Sequence, residues 1–473
     1  MYAFLARYFQ MSKLAVILID MIWVLGGYVL AYLLRFGFAP PRENIDPFIQ
    51  LIPVIVLATY ILFSMYGLYT IARKTLLDIV FSLGLSLFFL QLIVTTSTFF
   101  IREFAFPRSI LIIAFFIQWF LLSVWRAIVL RVRRRVHGEK RILLIGSEEK
   151  LQKIGSSILG GQEGWYTIAH VLSPTDLKIR HIEDFPEWHA ADTIALSNDL
   201  DEKMKKGLIE SALAAHKFVL IEPAMQDIVL SRPQLLLFHD VPMIALTEFS
   251  IPEDLKLVKR WMDTVLAFTM LLVTFPLMLV VAALIKLTSP GPVFYRQERV
   301  TEGGKTFMLI KFRTMVKDAE KRTGPVLATE KDPRITSVGR VLRATRLDEL
   351  PQLINVLKGE MSLIGPRPER PHFIEQFSKE LPAYSYRHQV KAGITGLAQV
   401  VGRYSTSAED KLALDLFYIK NYSLLLDVRI LFMTVKVVLS KEAASGVSDN
   451  KKETFWVEVM DRSGRNQKID VPR

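Results

Sequence analysis

Arg343-Ala344-Thr345-Arg346-Leu347-Asp348-Glu349-Leu350-Pro351-Gln352 is the stretch on which the reading turns, and it continues to Gly365-Pro366-Arg367-Pro368-Glu369. Two adjacent carboxylates, Asp348 and Glu349, follow three arginines, Arg340, Arg343 and Arg346. Beyond them an apolar-periodic segment, Leu350 to Leu357, ends at Lys358-Gly359. That pattern reads as a helix with proline in its first turn and a glycine stop. Asp348 and Glu349 are therefore expected at a helix N-terminus, where free amides and the macrodipole favour carboxylates and phosphates alike. An Asp-Glu pair by itself is also what a capped surface helix presents to solvent. The clustered arginines open a second reading, a site where a nucleophilic or metal-binding acid meets a polyanion.

Working outward, the chain has 473 residues, 51% of them hydrophobic, and a mean hydropathy of +0.29. It is too apolar for an ordinary soluble enzyme and long enough for two or three domains. Zero cysteines exclude disulfides and thiolate metal sites, and the eight histidines show no metal-ligand spacing. A formal net charge of +12 suits anionic lipids or phosphates. No nucleic-acid partner is expected, because no basic-aromatic patch accompanies that charge. Four apolar runs, Leu14–Leu34, Phe48–Leu68, Leu76–Ile101 and Ile110–Leu130, reach the roughly 20 residues that a bilayer requires. The first is too long for a cleavable signal, and its Asp20 should face other helices. Arg7, Lys13, Arg73, Lys74, Arg131, Arg133, Arg134 and Arg135 outweigh Arg35, Arg42, Arg102 and Arg108 on the opposite side. The N-terminus and everything after the fourth span are thus expected in the cytoplasm.

From about 140 the composition becomes that of a soluble α/β unit. Arg141–Gly146, Thr167–Leu172, Thr193–Ser197, Phe218–Glu222 and Met243–Leu246 read as strands, with helical patterns such as Glu202–His216 between them. The alternation predicts a Rossmann-like parallel sheet. A dinucleotide fingerprint is missing, since Ser147-Glu148-Glu149-Lys150 follows Gly146, so a structural or regulatory role is expected. A fifth uncharged segment, Thr264 to Ile285, carries Pro276 at its centre and basic residues at both ends. Length allows it to span, while the proline and the flanking charge favour a segment that dips in and returns. Physics of the sequence leaves both open. Leu412 to Leu439 reads as helical, and Phe455–Met460 with Lys468–Val471 as a small hairpin or loose tail.

Several short motifs then occur in one order: Lys259-Arg260 and Asp263, Ser289-Pro290-Gly291-Pro292-Val293-Phe294-Tyr295-Arg296-Gln297, Lys311-Phe312-Arg313-Thr314-Met315, and Asp332-Pro333-Arg334-Ile335-Thr336. The Asp-Glu stretch follows, and then Gly393-Ile394-Thr395-Gly396 with Gln399 and Gly402-Arg403. From Asp263 to about Leu439 the chain resembles the catalytic domain of the bacterial polyprenyl-phosphate hexose-1-phosphate transferases, the monotopic phosphoglycosyl transferases of capsule, O-antigen and exopolysaccharide synthesis. The resemblance implies transfer of a hexose 1-phosphate from a UDP-sugar to undecaprenyl phosphate with release of UMP, through a covalent phosphosugar intermediate. It implies Asp348 as nucleophile and at the Mg2+ site, Glu349 as its partner, and Arg343 and Arg367 near the phosphates. Pro366 and Pro368 would stiffen the loop that carries Arg367 near the nucleotide. Lys311 and Arg313, after the alternating run Thr306–Ile310, could serve phosphate or lipid headgroups, or merely solvate the sheet.

The resemblance also tips the fifth segment to a re-entrant helix broken at Pro276, although Phe275 stands where many relatives have serine and Ala392 where they have proline. The expected architecture is a membrane protein of α plus α/β class. It comprises a four-helix transmembrane bundle (1–138), a Rossmann-like domain (139–252), a monotopic α/β catalytic domain (253–445) with re-entrant helix 259–287, and a polar tail (446–473). The expected location is the bacterial inner membrane with the enzymatic parts cytoplasmic. The expected partners are UDP-glucose or UDP-galactose, undecaprenyl phosphate and membrane lipids, and a homodimer through the bundle or middle domain is compatible. Two other readings are a membrane-anchored nucleotide-sugar dehydratase or epimerase and a non-enzymatic scaffold of polysaccharide assembly. The first needs a glycine-rich NAD turn and a Tyr-x-x-x-Lys pair, neither of which is found; the intact Asp348-Glu349 and arginines argue against the second.

Overall fold

The computed structural model describes residues 13–69, 75–101, 106–137, 140–161, 166–179, 181–231, 233–239, 241–246, 248–316, 332–402 and 406–439. Arg7, Arg73, Lys74, Arg102, Arg403 and the tail with its expected hairpin lie outside the described residues, as do the side chains of Arg133, Arg134 and Arg135. The chain divides into two compact units, one running to Glu222 and one from Pro223 to Val447.

The first unit begins with four long apolar helices, α1 (Lys13–Phe36), α2 (Arg42–Met65), α3 (Leu76–Phe100) and α4 (Arg108–His137). Each is long and apolar enough to cross a membrane. The start of α3 is fixed by Thr75, whose hydroxyl accepts from the Asp78 amide. α1 packs on α4, α2 on α3, and α3 on α4. Polar groups register these contacts. Asp20 of α1 forms a buried ion pair with Arg126 of α4. The Tyr28 hydroxyl donates to Gln91 of α3 at 2.8 Å, and Gln91 donates to Gln118 of α4 at 3.0 Å. Gln118 then donates to the Val24 carbonyl of α1 at 2.8 Å. Unpaired, each group would cost several kcal/mol in an apolar medium, roughly 2–7 for an amide or hydroxyl, so the network specifies which helix faces meet.

β1 (Lys140–Ile145), α5 (Glu148–Gly161), β2 (Tyr166–Leu172), β3 (Thr193–Leu196), α6 (Glu202–Ala214) and β4 (Phe218–Ile221) follow. The four strands form a parallel sheet in the order β2-β1-β3-β4, and β1 and β3 are its buried centre. Their continuous apolar runs, Ile142–Ile145 and Thr193–Leu196, follow from burial on both faces. After β1, where a Rossmann fold would cradle a pyrophosphate, the chain supplies its own anions. The Ser147 amide donates to Asp199 at 3.3 Å and the Asn198 amide to Glu222 at 3.2 Å.

Met243–Leu246 is not a fifth strand of that sheet. β5 (Gln234–Phe238) and β6 (Val241–Ala245) pair antiparallel in a separate hairpin, because only a few residues join them and a parallel neighbour needs a crossover.

In the second unit the fifth apolar segment is one helix, α7 (Glu253–Thr288), with Pro276 inside it and no break in its helical run. The expected break at the proline is thus not visible as a gap in the helix. Lys259, Asp263, Ala267, Met278, Val281 and Ile285 make one buried stripe at helical spacing. The other faces expose Trp261, Phe268, Leu272, Phe275, Leu279 and Leu287. An antiparallel hairpin, β7 (Phe294–Val300) and β8 (Thr306–Phe312), precedes α8 (Ser337–Thr345), α9 (Gln352–Lys358) and β9 (Ser362–Ile364). α10 (Pro371–Glu380), β10 (Gly393–Thr395), α11 (Ala408–Lys420) and α12 (Leu424–Leu439) complete it, with β9 and β10 paired in parallel. The core joins Phe307 and Leu309 of β8 to Leu353 and Val356 of α9 and to Leu416, Ile419 and Ile430 below. The expected single helix Leu412–Leu439 is two helices, interrupted at Asn421-Tyr422-Ser423. Ser423 ends the break by accepting the Leu426 amide on its hydroxyl at 3.2 Å, a cap that apolar periodicity conceals.

Candidate active site

The dyad is placed by three elements. β8 carries Lys311 on the face opposite the buried Phe312. α8 starts on the cap Thr336, whose hydroxyl accepts the Gly339 amide at 2.9 Å. Gly339 lies so close to Thr314 that any Cβ would run into that carbonyl, which explains glycine there. The approach also brings Arg343 to Thr314, Nε donating to Oγ1 at 2.9 Å. α8 ends at Arg346 in the left-handed region, φ 58°, at a cost of about 1–2 kcal/mol for a residue with a side chain. That reversal turns the chain into a single 3₁₀ turn, Leu347–Glu349, before α9 begins.

Asp348 and Glu349 consequently lie in the 3₁₀ turn, not in the first turn of α9, whose seven residues begin only after Pro351. Side chains, more than the dipole of so short a helix, set their charge. Glu349 Oε1 accepts from Lys311 Nζ at 2.9 Å and from Arg367 Nη2 at 3.1 Å. Burial alone would push the Glu349 carboxyl up, but Lys311 and Arg367 together hold it well below the ordinary carboxylate range. Asp348 behaves oppositely. Burial raises its pKa, the neighbouring Glu349 charge adds to that, and Lys311, Arg343 and Arg346 only partly oppose them. Among the described residues no hydrogen bond ends on the Asp348 carboxylate, which is 9% exposed. One carboxylate is neutralised; its neighbour is kept available.

The other expected site residues divide. Lys311 and Arg367 meet at Glu349, and Arg343, in the last turn of α8, is bonded to Thr314. Pro366 and Pro368 flank Arg367 in the loop after β9. Arg313 is not brought to the dyad. It is buried, its Nη1 donates to the Pro290 carbonyl at 3.0 Å and its Nη2 to the Ser289 carbonyl at 2.7 Å. It closes the turn after α7 around Gly291, whose φ of 123° and contact with the guanidinium admit no side chain. Its two Nη groups are thus engaged by backbone carbonyls, while its Nε is buried without a hydrogen-bond partner among the described residues. Pro276 lies within α7 and is not among the residues bonded to Glu349.

α7 is tied to the same framework by polar residues near its start. Lys259 pairs with buried Asp427 at 2.6 Å. Arg260 donates to the Val356 and Leu357 carbonyls at 2.6 and 2.9 Å, satisfying the C-terminal end of α9. Asp263 accepts from the Ser362 hydroxyl at 2.7 Å and the Leu363 amide at 3.1 Å. At the other end of α7, Met278, Val281 and Ile285 pack with Phe312 and Leu342. Sequence reasoning missed the buried pair Arg387–Asp415, 2.7 Å, because only a fold brings together partners 28 residues apart.

No cluster of three or more His, Cys, Asp or Glu side chains forms a metal cage among the described residues. Magnesium does not require one, since it is held by one or two carboxylates together with substrate phosphates and water. Asp348, a carboxylate that accepts no hydrogen bond among the described residues, has the oxygen chemistry such an ion takes.

Residues 255–441 match the model of the bacterial sugar transferases. The chain is 50% identical over 186 residues to a UDP-N-acetylgalactosamine-undecaprenyl-phosphate N-acetylgalactosaminephosphotransferase of Aeromonas hydrophila, covering 39% of this chain but only 44% of that protein. It is 43% identical over 193 residues to a UDP-glucose:undecaprenyl-phosphate glucose-1-phosphate transferase of Caulobacter vibrioides, covering 39% of this chain and 71% of that one. A UDP-galactose-lipid carrier transferase of Erwinia amylovora is 29% identical over 367 residues, 71% of this chain and 76% of its own length. With the ordered motifs and a relative matched over most of its length, the chain belongs to the bacterial sugar transferase family.

Proposed function

We propose that the protein transfers a hexose 1-phosphate from a UDP-sugar to undecaprenyl phosphate and releases UMP, with Asp348 as the nucleophile. The observation that carries this reading is the split dyad. Glu349 is engaged by Lys311 and Arg367, whereas Asp348, beside it, accepts no hydrogen bond among the described residues and is made more basic by burial. A carboxylate so placed is suited to covalent catalysis. An Asp348 oxygen attacks the β-phosphorus of the donor. The bond from that phosphorus to the bridging oxygen breaks, and its electrons leave with UMP. A phosphate oxygen of undecaprenyl phosphate then attacks the same phosphorus, giving the lipid diphosphate sugar and freeing the carboxylate. Arg343 and Arg367 offer guanidinium donors to the diphosphate, and Lys311 keeps the second carboxylate charged and oriented. Asp348, with the donor's phosphates, would hold the magnesium ion, which would neutralise charge on the departing phosphate.

The site faces the cytoplasm in this reading, where nucleotide sugars are found. α7 supports that topology. Its 36 residues would measure about 54 Å, yet one unit packs along it from Lys259 to Ile285. A helix crossing the bilayer would carry Phe312 and Leu342, neighbours of the charged site in sequence, to the opposite side. A re-entrant or in-plane α7, with its exposed Trp261, Phe268 and Phe275 in lipid, avoids that. Relatives named for glucose, galactose and N-acetylgalactosamine make these three UDP-sugars the panel to test, with glucose and galactose the first choice. Membranes containing the protein, magnesium and undecaprenyl phosphate should release UMP from at least one; no UMP from any would reject the assignment and favour a scaffold.

A further inference from the structure

The loop that carries Arg367 is held from outside through its backbone oxygens. Pro366 and Pro368 have no amide proton to give, so carbonyls are what the surroundings can grip. Four consecutive ones are gripped. The Gly393 amide donates to the Pro366 carbonyl at 2.9 Å. Arg387 Nη2 donates to the Arg367 carbonyl at 2.9 Å, and Arg299 Nη1 to the Pro368 carbonyl at 3.0 Å. The Val300 amide donates to the Glu369 carbonyl at 3.1 Å.

The two arginines are themselves fixed. Arg387 is 5% exposed, and its Nε and Nη2 reach Asp415 Oδ2 at 3.1 and 2.7 Å while Nη1 reaches the Tyr384 hydroxyl at 2.7 Å. Arg299 on β7 is braced by Gln297 at 2.7 Å and Glu369 at 3.3 Å. A buried ion pair is a weak stabiliser, since desolvation removes most of its Coulombic gain. What Arg387 adds is a directed donor with no rotational freedom, aimed at the backbone of the residue that neutralises Glu349.

We propose that Arg387, set by Asp415 and Tyr384, and Arg299 are positioning residues that act through Arg367 on the Asp348-Glu349 dyad. The proposal rests on the transferase reading for its kinetic readout. Lysine at 387 keeps a cation beside Asp415 but cannot serve Asp415, Tyr384 and the Arg367 carbonyl from one planar fork.

The test is a double-mutant cycle in the purified full chain with Arg387→Lys and Arg367→Ala. Arg387→Lys should lower kcat about tenfold in the parent and by less than about twofold in the Arg367→Ala background. A merely structural role would give equal losses in both backgrounds, which would overturn the proposal. If Arg387→Lys unfolds the chain, Arg299→Lys in the same cycle carries the test, with the same two outcomes. UDP affinity, measured by calorimetry through the cycle, separates the two failures. Coupled UDP binding without UMP from the parent rejects the transferase reading alone; UMP release with additive effects rejects the positioning role alone.

Discussion

Both units of the chain set acidic side chains beside a turn that leads into a helix, and they treat them differently. In the middle domain Asp199 accepts the Ser147 amide and the Ser197 hydroxyl, and Glu222 accepts the Asn198 amide and pairs with Lys150 and Lys153. Burial pushes the Asp199 carboxyl up, but hydrogen bonds from the Ser147 and Ser197 side chains, with the Ser147 amide, hold it below the usual carboxylate range. Acids there fill the place of an external anion. In the turn that carries the dyad Glu349 is satisfied in the same way, but Asp348 accepts no hydrogen bond among the described residues, and burial raises its pKa. In the proposed reading, what separates a structural junction from a reactive one is not acid content but a carboxylate that accepts no hydrogen bond among the described residues.

The sharpest way to break that comparison is to remove the spare acid. Asp348→Asn should reduce UMP release by about a thousandfold or more, the scale of losing a covalent nucleophile. Retained activity would transfer the role elsewhere. Next in size, Lys259→Met should destabilise the second unit by roughly 3–5 kcal/mol in urea melts, because it leaves Asp427 buried and unpaired. The double replacement Lys259→Met with Asp427→Leu should recover most of that loss.

Lys311→Met should lower kcat on the order of tenfold and shift the acid limb to higher pH. The sign follows from the ammonium, which lowers both carboxyls; without it each stays protonated to a higher pH, and a protonated Asp348 cannot attack. Stability should show the mirror image. The depressed Glu349 contributes stability above its unfolded pKa that is lost as pH falls through its folded value, and Lys311→Met removes that contribution. Thr336→Ala should cost about 1 kcal/mol through the lost cap of α8. Smallest of all, Asp199→Asn should leave UMP release within about twofold of the parent, since the amide oxygen can keep the Ser147 bond and the amide NH2 can donate to the Ser197 hydroxyl. A large loss there would erase the distinction between the two turns.

Much of this was legible in the residues. The strands at 140–145, 166–172, 193–196 and 218–221 were readable because each is a short apolar run between polar turns. The long apolar helices were readable from length alone. Pairing was not. Met243 lies in a strand as expected, but periodicity reports burial and not the partner, so its hairpin with Gln234–Phe238 was invisible. Arg313 looks like Lys311 in sequence, two residues on; only the structure shows its two Nη groups turned to the Ser289 and Pro290 carbonyls. Asp348 and Glu349 were found as a pair, while their division of roles needed the distances to Lys311 and Arg367. The Arg387–Asp415 contact offers no local signal at all.

The central claim concerns a covalent bond, and the direct measurement is to look for it. The purified chain is incubated with the UDP-sugar and magnesium in the absence of lipid acceptor, quenched, digested and weighed by mass spectrometry. The account predicts a burst of about one UMP per chain and a hexose-phosphate adduct on the peptide containing Asp348, lost when undecaprenyl phosphate is added. UMP release that begins only with the lipid, and no adduct on that peptide, would contradict it.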